Sequence, residues 1–488
     1  MNGLPVLSII ALAPTAAALL ILLIGRGKQL PRAIALVAGT ICLACAIWVW
    51  FNYDRTAAGM QFVQTIPWIP SLGIAYKVGV DGISVPMLML MGIVMFTGVL
   101  VSWDVEDRPR EFFVLLLLLV TGVFGVFVAQ DAFLLFFFYE MAVLPMFLLI
   151  AIWGSTRKDY SAMKLTLFLF AGSAALIVAM ILIYWQVGAH TFDMQVWAAH
   201  TFPATFQRWV FLLSLVGFGA LIPLWPLHTW SPDGHVAAPT AVSMMHAGVL
   251  LKLGAYGLIR LGITLFPQGL HDWALLMAII GAINVVYGAL CAMSQTDLKY
   301  VIGYSSVSHM GYVILGLSMA NRFGLEGAVF QMFAHGIMTA LFFALIGYVY
   351  EKSHTRQIAE ISGLMLRTPV VAATFVIAAA ASMGLPSTSG FVAELLVYVG
   401  LIGKSPLLAA VAFVGVVVTA AYLIRTLTKI LLGKPSEAVE PLVDPRPIRM
   451  LPMGILAFTI MGVGLFPGPM YETIRIGVMP ILQKLAGG

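Results

Sequence analysis

The sequence predicts an all-α polytopic membrane protein, and two observations carry this prediction. Hydrophobic residues make up 61% of the 488 positions and charged residues only 10%, with a mean hydropathy of +1.00. Soluble domains carry about 25% charged residues, so the composition excludes a water-soluble fold. In addition, apolar runs of the roughly 20 residues that a helix needs to cross a bilayer recur along the chain.

These runs predict fourteen transmembrane helices in one membrane domain covering residues 1–488. A membrane β-barrel would instead alternate polar and apolar residues over about 10 positions per strand, and the run 112–138 does not alternate. The predicted spans lie near residues 4–24, 31–51, 83–103, 111–130, 131–153, 161–187, 206–230, 236–262, 273–293, 299–319, 324–350, 368–400, 405–433 and 447–467.

The distribution of basic residues predicts the orientation of these spans. No Lys or Arg precedes Arg26, so the first span lacks the cationic segment of a cleaved signal peptide. An N-terminus outside the membrane places most Lys and Arg residues in inside loops, as the positive-inside rule expects. The long segments 52–82 and 188–206 then lie outside, at the membrane surface, and the proline-rich loop 434–447 lies inside.

Four ionisable residues fall deep inside predicted spans: Glu140, Lys252, His335 and Glu394. A charged side chain at the centre of a bilayer costs about 2.5–3.5 kcal/mol on insertion scales, so such residues need a reason. One interpretation is a structural ion pair that locks two helices together. The other is a proton relay, which uses Asp, Glu, His and Lys in a water-lined interior. Two acids, one base and one imidazole do not form two simple pairs, which favours the relay.

Two predicted spans contain helix breakers. Pro223 and Pro226 lie late in the seventh span, and Gly384-Leu385-Pro386-Ser387 interrupts the twelfth. An interior proline removes a backbone hydrogen bond and kinks or breaks the helix. Inverted-repeat transporters place interrupted helices at matching points of their two halves. The two breaks are five spans apart, and this odd number inverts the second copy.

Further polar residues have both functional and structural interpretations. His309 could extend a relay toward Lys299, or it could pack between helices, bonded to neighbouring serines. Three residues beside an inside loop could form a proton uptake point or belong to a solvated loop: His228, Asp233 and His235. His246 precedes Lys252 by six residues and should face another side of its helix, so packing is the expected role.

The sequence lacks the residues that several classes of site require. Cysteine occurs only at Cys42, Cys45 and Cys291, too few for a disulfide framework or an iron–sulfur cluster. No Gly-x-Gly-x-x-Gly follows a strand, so no dinucleotide site is expected. The small excess of basic residues, +5, is dispersed and does not indicate nucleic acid. We expect no catalytic, cofactor or metal site in the chain.

Three segments make the sequence recognisable: His246 to Gly257, Gln295 to Lys299, and Ser305 to Gly311. Together with Phe138-Tyr139-Glu140 and Gly390-Phe391-Val392-Ala393-Glu394, they resemble the antiporter-like membrane subunits of respiratory complex I. The resemblance covers nearly the whole chain and is closest to the M type, the counterpart of mitochondrial subunit 4. Subunits of Mrp cation/proton antiporters share these motifs.

The resemblance implies fourteen helices in which spans 4–8 and 9–13 form inverted five-helix repeats with broken helices 7 and 12. The repeats would cover about 111–262 and 273–433, flanked by 4–103 and 447–467. It also implies a bacterial inner-membrane location, lipids and subunits of types L and N as neighbours, and a role in NADH:quinone oxidoreductase. FMN, iron–sulfur clusters and quinone would belong to partner subunits.

By the same resemblance, Glu140 is the acid partner, Lys252 the central lysine, His335 the connecting histidine and Glu394 the exit-side acid of a proton pathway. His309 matches a further position of that pathway. One departure is serious. The family usually has a lysine before the proline that breaks helix 7, and this chain has Leu221 there. Three hypotheses remain: a proton-translocating subunit of complex I, a Mrp-type antiporter subunit, or a structural scaffold whose channel has decayed.

Overall fold

The computed structural model describes residues 5–487, and helices dominate this part of the chain. Twelve helices within it are long and apolar enough to cross a membrane. The helices are α1 (Val6–Ile24), α2 (Gln29–Asn52), α3 (Ser84–Val101), α4 (Pro109–Val128), α5 (Ala132–Trp153), α6 (Lys158–Val187), α7 (Met194–Ala199), α8 (Ala204–Leu221), α9 (Trp230–Ala237), α10 (Thr240–Met245), α11 (Leu251–Gly257), α12 (Pro267–Ser294), α13 (Leu298–Ser318), α14 (Arg322–Ser353), α15 (Leu364–Arg367), α16 (Pro369–Ser382), α17 (Ser389–Ile402), α18 (Pro406–Leu431), α19 (Pro447–Leu465) and α20 (Gly468–Gly487).

The predicted helical membrane fold is confirmed, with differences in detail. α10 and α11 belong to one continuous helix, Thr240–Ile263, because two π-helical segments, His246–Leu250 and Leu258–Ile263, join and extend them. α13 is 21 residues long but is not among the twelve apolar spans, since polar residues occupy much of it. The predicted count of fourteen spans and the inverted repeats stay predictions.

The segment 52–82 contains strands that the all-α expectation missed. β1 (Gln61–Ile69) and β2 (Ile74–Val80) pair antiparallel. β2 is tied to the segment 188–206, because Lys77 Nζ lies 2.6 Å from a carboxylate oxygen of Asp193. A hairpin satisfies its own backbone polar groups, which an irregular segment at a membrane surface would leave exposed.

The predicted break in the seventh span is present between α8 and α9. α8 ends at Leu221, and the polar groups that the break frees find partners. The amide of Leu224 donates to the carbonyl of Gly219 at 2.9 Å. The Asn284 side chain of α12 bonds to two further backbone groups of the break. Its Oδ1 accepts from the amide of Trp225 at 2.7 Å, and its Nδ2 donates to the carbonyl oxygen of Pro223 at 3.0 Å.

The twelfth span is broken as predicted, between α16 and α17. The amide of Leu385 donates to the carbonyl of Ala380 at 2.9 Å, the same five-residue spacing as at the first break. Thr388 then caps α17 by accepting from the amide of Phe391 at 3.4 Å. Unpaired backbone groups at membrane depth are tolerated only inside a bundle or beside water, and at both breaks the backbone finds such partners although Trp225 and Leu385 are 41% and 46% exposed.

Two helices form the centre of the bundle. Thr240–Ile263 and α14 are buried along their whole apolar lengths, so neither faces lipid. Their backbones touch, because a Cβ added to Gly336 would lie 2.5 Å from the carbonyl oxygen of Gly248. This contact sets Lys252 of one helix beside His335 of the other.

A buried ion pair connects the helix Thr240–Ile263 to the start of α3. Asp81 accepts hydrogen bonds from Arg260 at 2.7 and 2.5 Å and from the amides of Ile83 and Ser84, which begin α3. Asp81 and Arg260 are 5% and 7% exposed. A pair this well bonded offsets the cost of burying two charges, whereas one partner alone does not.

We expect Asp81→Asn to destabilise the fold by about 3–5 kcal/mol, because it leaves the Arg260 guanidinium buried without its counter-charge. Thermal unfolding in detergent measures the change as a lower melting temperature. The apolar double variant Asp81→Leu/Arg260→Met is the control, since it removes both charges and should lose less stability. An equal loss in the two proteins would contradict this account.

Candidate functional site

Lys252 lies at the centre of the bundle and is fully buried. Its ammonium donates to the carbonyl oxygen of Ala247 and lies 2.8 Å from Nδ1 of His335. No carboxylate forms an ion pair with it within residues 5–487. The π-helical turn His246–Leu250 lies directly before this part of the helix, and such turns are frequent at functional sites. The predicted central lysine is therefore held by neutral groups alone.

From His335 the buried polar groups continue to a second histidine. The rings of His335 and His309 have centroids 5.3 Å apart. His309 uses both nitrogens, with Nε2 lying 3.0 Å from Ser382 Oγ and Nδ1 lying 3.2 Å from Gln331 Nε2. His309 is 2% exposed. A fully bonded imidazole can take a proton at one nitrogen and release one at the other.

Glu394 ends this series. Its Oε1 lies 3.5 Å from His309 Nδ1. Its Oε2 lies against the helix break, where a Cβ added to Gly384 would come within 2.5 Å of it. Gly384 has a φ of +63°, which a larger residue adopts only with strain. The break thus makes room for the carboxylate. We call Lys252, His335, His309 and Glu394 the buried row.

A second cluster of buried polar side chains involves the part of the chain that precedes Lys252. Lys299 Nζ donates to the carbonyl of Ala238 at 2.7 Å and lies 3.4 Å from Ser243 Oγ. Ser243 in turn donates to the carbonyl of His235 at 2.9 Å. The His235 and His246 rings have centroids only 4.1 Å apart. We call Lys299, Ser243, His235 and His246 the uptake cluster.

The uptake cluster reaches the buried row through the π-helical turn. Lys252 Nζ folds back to the carbonyl of Ala247, the residue that follows His246. His246 also stacks on Trp230, with ring centroids 5.3 Å apart, which agrees with the packing role expected from sequence. Its two nitrogens and Nδ1 of His235 have no partner within residues 5–487. Buried polar atoms without protein partners are normally hydrogen-bonded to water.

The structure does not bring every predicted site residue together. His309 contacts Gln331, Ser382 and Glu394 and has no contact with Lys299 within residues 5–487, so of its two interpretations the geometry favours the histidine bonded to a serine. Asp233 pairs with Lys164 at 2.8 Å. The solvated-loop alternative is wrong for the two histidines near it, because His228 is 3% and His235 0% exposed.

Glu140 stands apart from the buried row. Its carboxylate accepts a hydrogen bond from Ser173 of α6 and forms no ion pair within residues 5–487. Leu221 is fully buried. Its neighbour Ala220 packs against Gly172, the residue before Ser173, since a Cβ added to Gly172 would meet the Ala220 side chain at 3.0 Å.

Sequence reasoning missed several members of the site. Gln331, Ser382 and Ser243 are uncharged, and nothing in the sequence separates the two serines from other polar residues in apolar helices. Gln331 alone carried a signal, because it precedes His335 by four residues and therefore shares its helix face. The contact between His235 and His246 depends on how α9 folds back after the break, which no local pattern encodes.

Comparisons with known proteins show the family of this chain. A family model described as NADH:quinone oxidoreductase/Mrp antiporter, TM, matches residues 129–419. The NAD(P)H-quinone oxidoreductase chain 4 of Gloeobacter violaceus is 36% identical over 478 residues, which cover 96% of this chain and 90% of the relative. The NADH-quinone oxidoreductase subunit M of Rhodobacter capsulatus is 36% identical over 498 residues, covering 98% and 96%.

A solved structure gives the same result at the level of the fold. One chain of respiratory complex I from Thermus thermophilus superposes with a TM-score of 0.91 and 28% identity, over 99% of this chain and 100% of that one. Sequence and fold thus agree along nearly the full length of these relatives. The chain belongs to the NADH:quinone oxidoreductase/Mrp antiporter family of multi-span membrane proteins.

Proposed function

We propose that this chain is an antiporter-like, proton-translocating subunit of a complex I-type NADH:quinone oxidoreductase. The observation that carries the proposal is the buried row, in which each group from Lys252 to Glu394 lies beside the next at the centre of an apolar bundle. The names of the matched relatives support the choice of complex. In this proposal the chain performs no redox chemistry, and FMN, iron–sulfur clusters and quinone belong to its partners.

The buried row supplies groups that can hold and pass a proton. Lys252 and His335 are within hydrogen-bond distance, so a proton can move directly between amine and imidazole. The step to His309 is longer, but His335 Nε2 and Gln331 Oε1 are buried without partners within residues 5–487. A water molecule bonded to such groups would bridge the two rings. Glu394 then receives the proton from His309.

The uptake cluster is the proposed source of these protons, in place of Glu140, which the resemblance implies as the acid partner. Lys299, Ser243 and the two histidines lead to the backbone beside the Lys252 amine, whereas Glu140 bonds only to Ser173 within residues 5–487. Because neutral groups alone hold the Lys252 ammonium, a change of charge in a neighbouring subunit alters how readily it keeps its proton. Redox events in those subunits would drive the cycle.

The surroundings expected for this function also form part of the proposal. We place the chain in a bacterial cytoplasmic membrane with its N-terminus outside, among lipids and neighbouring antiporter-like subunits of types L and N. A Mrp-type antiporter subunit is the second candidate, since the family model covers both assemblies. Subunits that copurify with the full chain separate the two: flavin and iron–sulfur proteins indicate complex I, and small membrane partners indicate a Mrp assembly.

We expect Lys252→Ala to lower the number of protons translocated per electron severalfold while the complex still assembles, since the variant removes the first group of the buried row. Proton uptake by vesicles during NADH oxidation measures this ratio. Lys28→Ala is the control, because Lys28 lies at the surface with 54% of its side chain exposed. Full pumping by the Lys252 variant would reject its role.

The two buried acids should differ in their effects. Glu394→Gln removes the acid that ends the buried row and should abolish most proton translocation. Glu140→Gln makes the same chemical change outside the row and should leave translocation close to normal. The two variants are matched controls for each other, and the number of protons translocated per electron is measured for each in the assembled complex. Equal losses in the two variants would show that protons do not follow the buried row.

We expect His246→Leu to slow proton translocation, because it removes one of the two imidazoles that connect the uptake cluster to Lys252. The rate of NADH-driven proton uptake should fall while the amount of assembled complex stays the same. His271→Leu is the matched control, since 83% of the His271 side chain is exposed. Unchanged uptake in the His246 variant would leave its stacking on Trp230 as its only role.

A further inference from the structure

A cavity outside the uptake cluster opens beside α18. Its volume is about 90 Å³, which is room for several water molecules. Its lining includes Tyr422, Arg425 and Lys429 of α18 and Thr296, which lies just before α13. Arg425, Lys429 and Thr296 are exposed, so the cavity opens at the surface of the protein. The opening lies at the end of the bundle where α13 begins, and Lys299 of the uptake cluster lies at that same end.

Tyr422 is the most deeply placed of the α18 residues that line this cavity. It lies nine residues before the end of the helix at Leu431, roughly 14 Å along its axis, and it is 1% exposed. Its hydroxyl donates to Oγ of Ser305 in α13 at 2.7 Å. The hydroxyls of Thr419 and Ser382 are its other polar neighbours. The ring that lines the cavity thus carries a hydroxyl that belongs to a buried group of hydroxyls.

These hydroxyls lead to the buried row. Ser382 Oγ lies 3.0 Å from Nε2 of His309. Ser305 precedes His309 by four residues, so the two lie on one face of α13. Ser305 and Ser382 are each 1% exposed. Because a hydroxyl both donates and accepts hydrogen bonds, it can take a proton from one neighbour and give its own to the next. The series therefore connects the cavity to an imidazole of the row.

A purely structural interpretation explains only part of this arrangement. A hydrogen bond between Tyr422 and Ser305 fastens α18 to α13, but Tyr312 of α13 already does so, since its hydroxyl donates to the carbonyl of Ala412 in α18 at 3.0 Å. A fastening bond also needs no cavity on one side and no bonded histidine on the other. A path for protons requires both.

We propose that the hydroxyls of Tyr422, Ser305 and Ser382 form a second proton inlet to the buried row. The inlet loads His309 from the same end of the bundle as the uptake cluster, and it does not use Lys252. The inference rests on the proposed function, because it assigns a further proton supply to the same row. The two supplies meet at His309, and the rest of the row serves both.

Proton transfer through this inlet returns every hydroxyl to its original state. A hydronium ion in the cavity gives a proton to the Tyr422 oxygen and becomes water, while the former hydroxyl proton of Tyr422 passes on. The serine hydroxyls repeat this exchange, and Nε2 of His309 accepts the last proton. Arg425 and Lys429 do not close the opening to protons, because they lie in solvent, where salt screens their charges over about 8 Å.

Combined variants test the inlet in the assembled complex. Tyr422→Phe keeps the ring and removes the hydroxyl. We expect Lys252→Ala/Tyr422→Phe to translocate fewer protons per electron than Lys252→Ala, because the double variant interrupts both supplies. Tyr348→Phe is the matched control in the same background, since its hydroxyl bonds to the backbone carbonyl of Val443, outside the inlet. Equal ratios for Lys252→Ala and the double variant would overturn the inlet.

The Glu394→Gln background separates the inlet from a structural role of Tyr422. Both supplies feed this acid, so adding Tyr422→Phe to Glu394→Gln should cause no further loss of translocation. A tyrosine that only holds helices together would lower translocation in both backgrounds, and that result would also overturn the inlet. Failure of the proposed function is a different result, because Lys252→Ala and Glu394→Gln would then each leave the ratio unchanged.

Labelling with a thiol reagent tests the cavity itself. In a cysteine-free form of the full chain, Thr296→Cys places a thiol at the exposed opening, where reaction with N-ethylmaleimide narrows the cavity. We expect this label to lower the translocation that remains in the Lys252→Ala complex. Thr428→Cys is the matched control, because it is exposed on α18 outside the cavity lining, and its label should have no effect. Unchanged translocation after labelling of Thr296→Cys would show that protons do not enter through this cavity and would overturn the proposal.

Discussion

The cost of placing charge in an apolar medium governs this molecule. Each ionisable group inside the bundle must find a partner of opposite charge, a set of neutral hydrogen-bond partners, or water. The two central helices show two of these solutions. Asp81 and Arg260 neutralise each other in a fixed pair, whereas the partners of Lys252 within residues 5–487 are two neutral groups, the Ala247 carbonyl and the His335 imidazole. The first arrangement is suited to stability, and the second leaves a proton free to move.

The two helix breaks make room for buried polar side chains, which continuous helices do not. A continuous helix bonds every interior carbonyl to its own backbone, so it offers no polar surface to a buried acid or histidine. The break after Leu221 lets α9 fold back and bring His235 to His246. The break at Gly384 makes room for Glu394. Both ends of the proposed proton route therefore depend on interrupted backbone.

Glu140 illustrates how such a cost remains when the chain supplies no counter-charge. Within residues 5–487 the carboxylate has one serine partner, Ser173, and an apolar face beside it. The compensation must then come from outside this chain, or the group must stay neutral. Because this carboxylate bonds to Ser173 and to no member of the buried row within residues 5–487, the uptake cluster is the better candidate for proton supply.

The structure also shows which inferences from sequence were reliable. Spans, breaks and buried ionisable residues were predictable, because hydropathy and proline act locally and a charge in an apolar run stands out. The hairpin at 61–80 was missed, since the prediction was based on long apolar runs and these two strands, which pair with each other, lie between such runs. Gln331 and Ser382 were missed as well, because an uncharged polar residue acquires its role only from what it touches.

The sequence by itself determined that the chain crosses a membrane many times and that Lys252, His335 and Glu394 lie at depth, because burial of long apolar runs leaves their few charges no other place. Only the tertiary structure decided which of these groups meet. Contacts such as Lys252 with His335 join residues 83 positions apart, and they follow from the close approach of Gly248 to Gly336. Helix packing selects such partners, and no local pattern in the chain specifies them.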